Sequence, residues 1–310
     1  MRRIFALCLV LTLLCAPALS EAADADYVWA YQGDVAFFEK DGKVGLIGKN
    51  GEVLHAAEWE EVKPFYEGLA AVQIGGKWGY ADLAGDVVIE PAWNEARPFD
   101  GGLASVRLRG RWGMIDCRGD YAVEPVWDGI DRFSEGLAAV QRNGRWGYID
   151  AEGNVAVEPV YDRTLSFQEG LAAVLVMGGK WGFVDPDGRL AVEPLWEDAW
   201  FFSEGLAPVQ QGGRTGFIDR EGEVVIKPQW LVAGSFSEGL ACVLTKNGFG
   251  FIDAQGNMVI QPCGWSGAGD FSERLAGFCV DDKWGYIDAE GNVAIDPAWE
   301  MAWMFCEGLA

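Results

Sequence analysis

Residues 135–161 read EGLAAVQRNGRWGYIDAEGNVAVEPVY, in which three short apolar runs are separated by turns that contain glycine. Short apolar runs bounded by turn residues predict β-strands, and each run is too short for a helix. The pair Asn143-Gly144 is a strong hairpin signal, because both residues tolerate a positive φ. We therefore predict that this stretch forms an antiparallel meander of three strands followed by a connecting loop.

The same pattern recurs along the chain, and successive copies lie 34 or 35 residues apart. A period in this range is typical of stacked modules, each too small to bury a core alone. The sequence therefore predicts an all-β tandem array of about eight three-stranded meanders, stacked as blades in a propeller-like ring or an open superhelix, with closure undecided. The marker pairs are Trp78-Gly79, Trp112-Gly113, Trp146-Gly147, Trp181-Gly182 and Trp284-Gly285, with Val44-Gly45, Thr215-Gly216 and Phe249-Gly250 in the same place in three other repeats.

Each repeat also carries an Asp-x-x-Gly turn and a proline. Aspartate at the first position and glycine at the fourth suit a type I turn, in which the carboxylate accepts bonds from nearby N–H groups. The proline follows the third apolar run and lacks a donor, so we expect it to end the strand pairing there. The turn aspartates are Asp82, Asp116, Asp150, Asp185, Asp219, Asp253 and Asp288.

A second aromatic residue follows the proline in most repeats. One interpretation is core packing between blades, and the other is an exposed ridge that stacks on sugars or on a peptide. These candidate binding aromatics are Trp59, Trp93, Trp127, Tyr161, Trp196, Trp230, Trp265 and Trp299.

The core K/R-W-G-[YF]-[IV]-D-x-x-G, with E-G-L-A before it, resembles the WG-repeat (KWG-repeat) family of bacterial proteins over residues 33–310. The resemblance implies a β-repeat architecture. It implies no catalytic mechanism and transfers no catalytic residues to this chain. The repeats that contain Val44, Thr215 and Phe249 depart from the family's tryptophan.

The N-terminus has the pattern of a secretory signal peptide, with Arg2 and Arg3 before a short apolar stretch and then small residues. We predict that residues 1–22 are this signal peptide and that 23–310 form the repeat domain. The chain is then exported to the periplasm, the cell surface or the medium, with no membrane span in the mature chain. Residues 301–310 begin a ninth repeat, which favours an open array or a truncated chain.

The net charge of −23 is expected to repel nucleic acid and anionic membranes. An odd number of cysteines remains beyond the leader, so at least one is unpaired within the chain. Cys242 and Cys279 occupy equivalent strands of adjacent repeats, which makes a disulfide between blades conceivable. The sequence does not decide the connectivity among Cys117, Cys242, Cys263, Cys279 and Cys306.

The sequence predicts no catalytic, metal or cofactor site. His55 is the only histidine, and we expect it on the surface at the end of a third strand, where other repeats carry Glu or Lys. The carboxylates recur in every repeat, including Glu90, Glu124, Glu158 and Glu193 before the proline, which favours a structural or surface role. The turn aspartates offer oxygen ligands of the kind Ca²⁺ prefers, but they lack the dense spacing of a calcium loop.

These observations predict an exported, non-catalytic repeat scaffold that binds a protein or a cell-envelope glycan. One alternative is a glycan-active or other hydrolase on a propeller-like scaffold. Its nearest candidate is the divergent stretch 214–281, which contains Thr215, Phe249, Cys263, Arg274 and Asp281. A further alternative is a structural surface component that associates with itself.

Overall fold

The computed structural model describes residues 25–305, and all regular secondary structure in that range is β-strand. The predicted signal peptide, Cys306 and the last residues of the ninth repeat lie outside the described residues. The first strands are β1 (Tyr27–Val28), β2 (Val35–Lys40), β3 (Lys43–Gly48), β4 (Val53–Trp59), β5 (Leu69–Ile74), β6 (Lys77–Asp82), β7 (Val87–Trp93), β8 (Glu95–Ala96), β9 (Leu103–Leu108), β10 (Arg111–Asp116) and β11 (Tyr121–Trp127).

The remaining strands continue the same order. They are β12 (Gly129–Ser134), β13 (Leu137–Arg142), β14 (Arg145–Ile149), β15 (Val155–Tyr161), β16 (Arg163–Thr164), β17 (Ala172–Val176), β18 (Lys180–Val184), β19 (Leu190–Trp196), β20 (Asp198–Ala199), β21 (Ala207–Gln211), β22 (Arg214–Ile218), β23 (Val224–Trp230), β24 (Val232–Ser237), β25 (Leu240–Thr245), β26 (Gly248–Ile252), β27 (Met258–Ile260), β28 (Gly267–Ser272), β29 (Leu275–Val280), β30 (Lys283–Ile287) and β31 (Val293–Trp299).

The strands form eight antiparallel sheets, which confirms the all-β array of eight repeats. Seven sheets have four strands, in orders such as β12-β13-β14-β15, and the sheet β5-β6-β7 has three. The prediction of three strands per repeat missed the fourth, which comes from the segment expected to be a loop. In β12 this strand pairs Ile130 with Val140 and Ser134 with Leu137.

The missed strand leads into a tight hairpin. Glu135 and Gly136 both have positive φ, 51° and 81°, as a two-residue hairpin turn between β12 and β13 requires. A glutamate rarely adopts this conformation, so a Glu-Gly pair does not predict a hairpin as an Asn-Gly pair does.

The chain divides into two compact units. In the described range, one comprises residues 25–110 and 114–121, and the other comprises 111–113 and 122–305. The boundary therefore lies at residues 110–122, in the stretch that contains β10 and the start of β11.

The Trp-Gly glycine allows a close approach of two backbones. A Cβ added to Gly147 would lie 2.3 Å from the carbonyl oxygen of Val157 and 2.6 Å from the nitrogen of Pro159. At this point β15 bulges, because Trp146 pairs with Tyr161 while Tyr148 pairs with Val157. The proline therefore lies inside a strand, at the bulge, and the expectation that it ends the pairing was wrong. A bulge leaves backbone groups unpaired, so it tolerates a residue without a donor.

The core of the second compact unit lies between successive sheets. One cluster joins Phe183 and Trp196 of one sheet to Phe202, Val209 and Ile218 of the next repeat. The rings of Phe183 and Phe202 meet edge to face at 4.8 Å between centroids. Full burial of such a side chain contributes about 1.5–3 kcal/mol. The repeats thus stabilise one another through aromatic and aliphatic contacts.

The first compact unit is built in the same way. Tyr80, Trp93 and Phe99 share a cluster with residues of the following repeat. The Tyr80 hydroxyl donates to the carbonyl oxygen of Arg97 at 2.8 Å, and burial raises the pKa of this hydroxyl.

The Glu-Gly hairpins link neighbouring repeats. The carboxylate of Glu169 accepts hydrogen bonds from the backbone N–H groups of Glu204 and Gly205, at 2.7 and 2.9 Å. The hydroxyl of Ser203 donates to the carbonyl oxygen of Phe236 in the next repeat at 2.7 Å. Similar bonds to the next hairpin are made by Glu67, Glu135, Glu204 and Glu238. These periodic carboxylates therefore have a structural role.

Candidate functional site

Most of the candidate binding aromatics are buried. Six rings are at most 9% exposed, Trp230 is half-buried, and Trp299 is 48% exposed. A buried ring offers no face to a sugar or a peptide, so the exposed-ridge interpretation is wrong for those six, and core packing accounts for them. The six are Trp59, Trp93, Trp127, Tyr161, Trp196 and Trp265.

The Trp-Gly tryptophans lie opposite this second aromatic in the sheet. Cross-strand pairs join Trp181 to Trp196 and Trp146 to Tyr161. The same register joins Trp78 to Trp93 and Trp284 to Trp299. Large rings on opposed strands stabilise a sheet by packing. The two aromatic signals of the sequence thus form one structural element.

The turn aspartates bind the backbone of their own turns. In six of the seven, one carboxylate oxygen accepts from the N–H groups two and four residues later, as in Asp253 with Gln255 and Asn257. The side-chain amide of Asn257 is the main cause that lowers the pKa of Asp253, and backbone N–H groups add to it. Within residues 25–305, no group of three or more His, Cys, Asp and Glu residues could hold a metal ion.

His55 is half-buried and not the exposed residue that the sequence predicted. It lies in β4 opposite Leu46, the position that Ile89 occupies in the next repeat, and its ring stacks on Trp59 at 4.1 Å between centroids. The sequence pattern placed it one residue too far along the repeat, at the position of Glu90, because β4 has no proline to mark the bulge. The Nε2 atom is buried and has no hydrogen-bond partner among the described residues.

The pattern-breaking residues of the stretch 214–281 do not occupy one common position in the repeat. Thr215 is buried in β22, whereas Cys263 is exposed after β27 and Arg274 lies in a hairpin turn with a φ of 68°. Cys242 and Cys279 are buried free thiols, so the conceivable disulfide between them is not formed in the structure. Burial raises the pKa of the Cys242 thiol to about 12.

One surface feature distinguishes three consecutive repeats from the others. It lies on β11, β15 and β19, each at the edge of its sheet. In these three consecutive repeats a glutamate, a proline and a branched aliphatic residue follow one another. The aliphatic side chains are 49%, 58% and 63% exposed, and the glutamates are exposed as well. We call this set the edge stripe; it consists of Glu124, Val126, Glu158, Val160, Glu193 and Leu195.

The fold itself does not demand aliphatic side chains at these exposed positions. The corresponding residues of other repeats are Ala92, Gln229 and Ala298, which the same strand geometry accommodates. The edge stripe is therefore a local apolar surface and not a consequence of the repeat.

The glutamates of the edge stripe form neither an ion pair nor a hydrogen bond with any of residues 25–305. On the neighbouring strands β10 and β14, Arg111 forms an ion pair with Asp128 and Arg145 forms one with Asp162. The edge stripe thus combines exposed aliphatic groups with uncompensated negative charge.

The signal for this surface was present in the sequence as Glu-Pro-Val, Glu-Pro-Val and Glu-Pro-Leu in successive repeats. It was missed because the glutamates were treated as one periodic set and the residue after the proline was not compared between repeats. Comparison at that one position separates these repeats from the others.

Comparisons with known proteins agree with the fold. Among residues 25–305, no helix is long and apolar enough to cross a membrane. The chain is 12% identical to a eukaryotic initiation factor of known structure, with a TM-score of 0.51, covering 90% of this chain and 88% of that one. It is 14% identical to BamB from Moraxella catarrhalis, with a TM-score of 0.39, covering 86% of this chain and 94% of that one. Such identities concern the fold alone.

No curated protein matches the sequence. The family described as WG containing repeat matches in eight consecutive segments, residues 45–78, 78–112, 112–146, 146–181, 181–214, 216–248, 249–284 and 284–310. The segment boundaries fall at or beside the Trp-Gly positions whose glycines underlie the bulges described above. The chain therefore belongs to the WG-repeat family.

Proposed function

We propose that this protein is an exported, non-catalytic scaffold that binds a protein partner. The observation that carries the proposal is the edge stripe, where exposed Val126, Val160 and Leu195 lie beside unpaired glutamates on three consecutive repeats. Exposed apolar groups beside charged ones are found at protein contact sites. Repeat arrays present such surfaces on rigid frameworks that suit large partners.

A protein partner accounts for the edge stripe better than a glycan does. Sugar recognition commonly uses exposed aromatic faces, and six of the eight candidate rings are buried. Aliphatic side chains gain more from contact with the apolar side chains of another protein.

The absence of an evident catalytic constellation in the described residues supports a binding role over the hydrolase alternative. His55 has a buried imidazole nitrogen, and the periodic carboxylates bind backbone N–H groups of turns and hairpins. The remaining unpaired glutamates of the edge stripe are one per repeat. No two of them come from the same strand. A surface that repeats along the array requires this distribution, whereas a carboxylate pair that performs acid–base work on one bond does not.

Export rests on the N-terminal sequence, in which two arginines precede a short apolar stretch and small residues. Cell fractionation with N-terminal sequencing of the mature chain tests it. We expect the mature chain to begin close to residue 23 and to occur outside the cytoplasm. An uncleaved chain in the cytoplasmic fraction would contradict export.

Photo-crosslinking tests the binding role. A photoreactive amino acid replaces Val160 in the full chain, and a matched variant carries it at Val259, which is 47% exposed on β27 outside the edge stripe. Irradiation in the native cells should give a discrete protein adduct from the Val160 position and none of that mass from the Val259 position. Adducts that are equal at both positions, that contain only glycan, or that fail to form would overturn the proposal.

A further inference from the structure

The exposed aliphatic side chains of the edge stripe do not by themselves specify a class of partner. The charge on the glutamates beside them does. Each aliphatic side chain lies two residues from an exposed glutamate that has no partner within residues 25–305. The whole chain has a net charge of −23, so the surrounding field adds to the local charge. An anionic or neutral segment would leave these carboxylates uncompensated, whereas lysine or arginine side chains would pair with them.

The proline of each edge strand restricts how a partner can bind. Pro159 and Pro194 each lack an N–H donor and lie at a bulge, and a proline or a bulge in an edge strand disrupts the regular row of backbone groups that strand pairing uses. A peptide that added to the sheet as a further strand needs that row. The partner must therefore be held by side-chain contacts to the glutamates and aliphatic residues.

The next repeat sets one end of the edge stripe. On β23 the equivalent positions are Lys227 and Gln229, both exposed, in place of a glutamate and an aliphatic residue. A lysine at this point repels a cationic segment, and glutamine offers it no apolar contact. At these two positions the Glu-Pro-aliphatic pattern therefore stops at this end with a change of both charge and polarity.

Resting on the proposed function, we infer that the edge stripe binds a protein segment that carries basic and aliphatic side chains together, held by its side chains and not by strand addition. The charge of the glutamates selects the basic residues, and Val126, Val160 and Leu195 cover the aliphatic ones. Binding of this kind should weaken with added salt but not vanish, because the apolar contacts are insensitive to screening.

The experiment uses the full mature chain and three fluorescein-labelled synthetic peptides. One alternates lysine and leucine, the second replaces every lysine by glutamate, and the third replaces every leucine by serine. Fluorescence anisotropy gives Kd at about 50 and 300 mM salt. The lysine–leucine peptide should bind at both salt concentrations, and each of the other peptides should bind about tenfold or more weakly.

Matched variants separate the edge stripe from diffuse acidity. The triple variant Glu124→Gln, Glu158→Gln and Glu193→Gln should weaken the lysine–leucine peptide about tenfold. The control triple Glu152→Gln, Glu221→Gln and Glu290→Gln removes the same charge from exposed turn positions and should change Kd by less than about twofold. Lys227→Glu should extend the edge stripe and tighten binding about threefold.

Equal weakening by the two triple variants would overturn the inference, as would equal affinity for the lysine–leucine and lysine–serine peptides. Failure of the inference is distinguishable from failure of the proposed function. If the Val160 photo-adduct forms in cells but the lysine–leucine peptide does not bind, the scaffold function stands and the chemistry of the partner is wrong. If neither occurs, both are wrong.

Discussion

Replacing Gly147 by alanine would place a methyl group where the backbone of the neighbouring strand already lies. The added Cβ would be 2.3 Å from the carbonyl oxygen of Val157, 2.6 Å from the carbonyl carbon of Glu158 and 2.6 Å from the nitrogen of Pro159. None of these atoms belongs to a flexible side chain, so relief requires movement of the bulge itself. The five Trp-Gly glycines share this crowding, with nearest atoms at 2.3 to 2.6 Å.

The cost follows from that geometry. An ordinary contact would need the bulge to move by about 1 Å, and overpacking of a tight core costs about 1–3 kcal/mol or more. Because backbone must move, we expect about 3 kcal/mol, which corresponds to a loss of roughly 6 °C or more in Tm for a chain of this size. The gain from a less flexible unfolded chain offsets less than about 1 kcal/mol of this.

The assay is thermal and urea unfolding followed by circular dichroism, with Gly269→Ala as the matched control. Gly269 has no heavy atom within 4 Å of an added Cβ and does not have a positive φ, so alanine is expected to be neutral or slightly stabilising there. Equal midpoints for the Gly147→Ala and Gly269→Ala variants would refute the reasoning that the close approach selects glycine in the Trp-Gly pair.

Three further outcomes are expected. Glu169→Ala removes two backbone hydrogen bonds to the next hairpin and should destabilise the protein by about 1–2 kcal/mol in urea unfolding, whereas an unchanged midpoint would count against the hairpin link. The pKa of Asp253 is lowered in the folded state, so its contribution to stability is present above the unfolded pKa near 3.8 and is lost as the pH falls through the folded pKa. The variant Asn257→Ala should therefore reduce the acid sensitivity of Tm. A pH profile of Tm identical to that of the parent protein would contradict this expectation. Burial raises the pKa of the Cys242 thiol to about 12, so maleimide at pH 8 should label the exposed Cys263 and spare Cys242 in the native protein, and equal labelling by mass spectrometry would refute the placement.

Local preferences account for the parts of the fold that could be predicted. The Asn143-Gly144 hairpin and the Asp-x-x-Gly turns form as expected, because their residues favour those backbone angles in any context. The fourth strand was missed because its hairpin forces Glu135 to a φ of 51°, which no local preference suggests. The proline was misread because a bulge, visible only in the register of β14 and β15, accommodates it.

The candidate site was less accessible from the sequence. The recurring aromatic residues were the clearest candidates in the sequence, yet most are buried. The edge stripe consists of common residue types, and only their exposure in the structure identifies them as a candidate contact surface. His55 shows the same limit, since the missing proline in its repeat shifted its apparent position by one residue, from a half-buried to an exposed one.

The sequence by itself determined the repeat period, the order of strands and turns within a repeat, and the family, because these depend on local preferences that recur eight times. Only the tertiary structure decided which side chains are covered and which charges are paired. Whether Trp196 is buried or Glu193 is left without a partner depends on atoms contributed by other strands and by the neighbouring repeat. Burial and pairing are properties of that packing, and the chain's local pattern does not contain them.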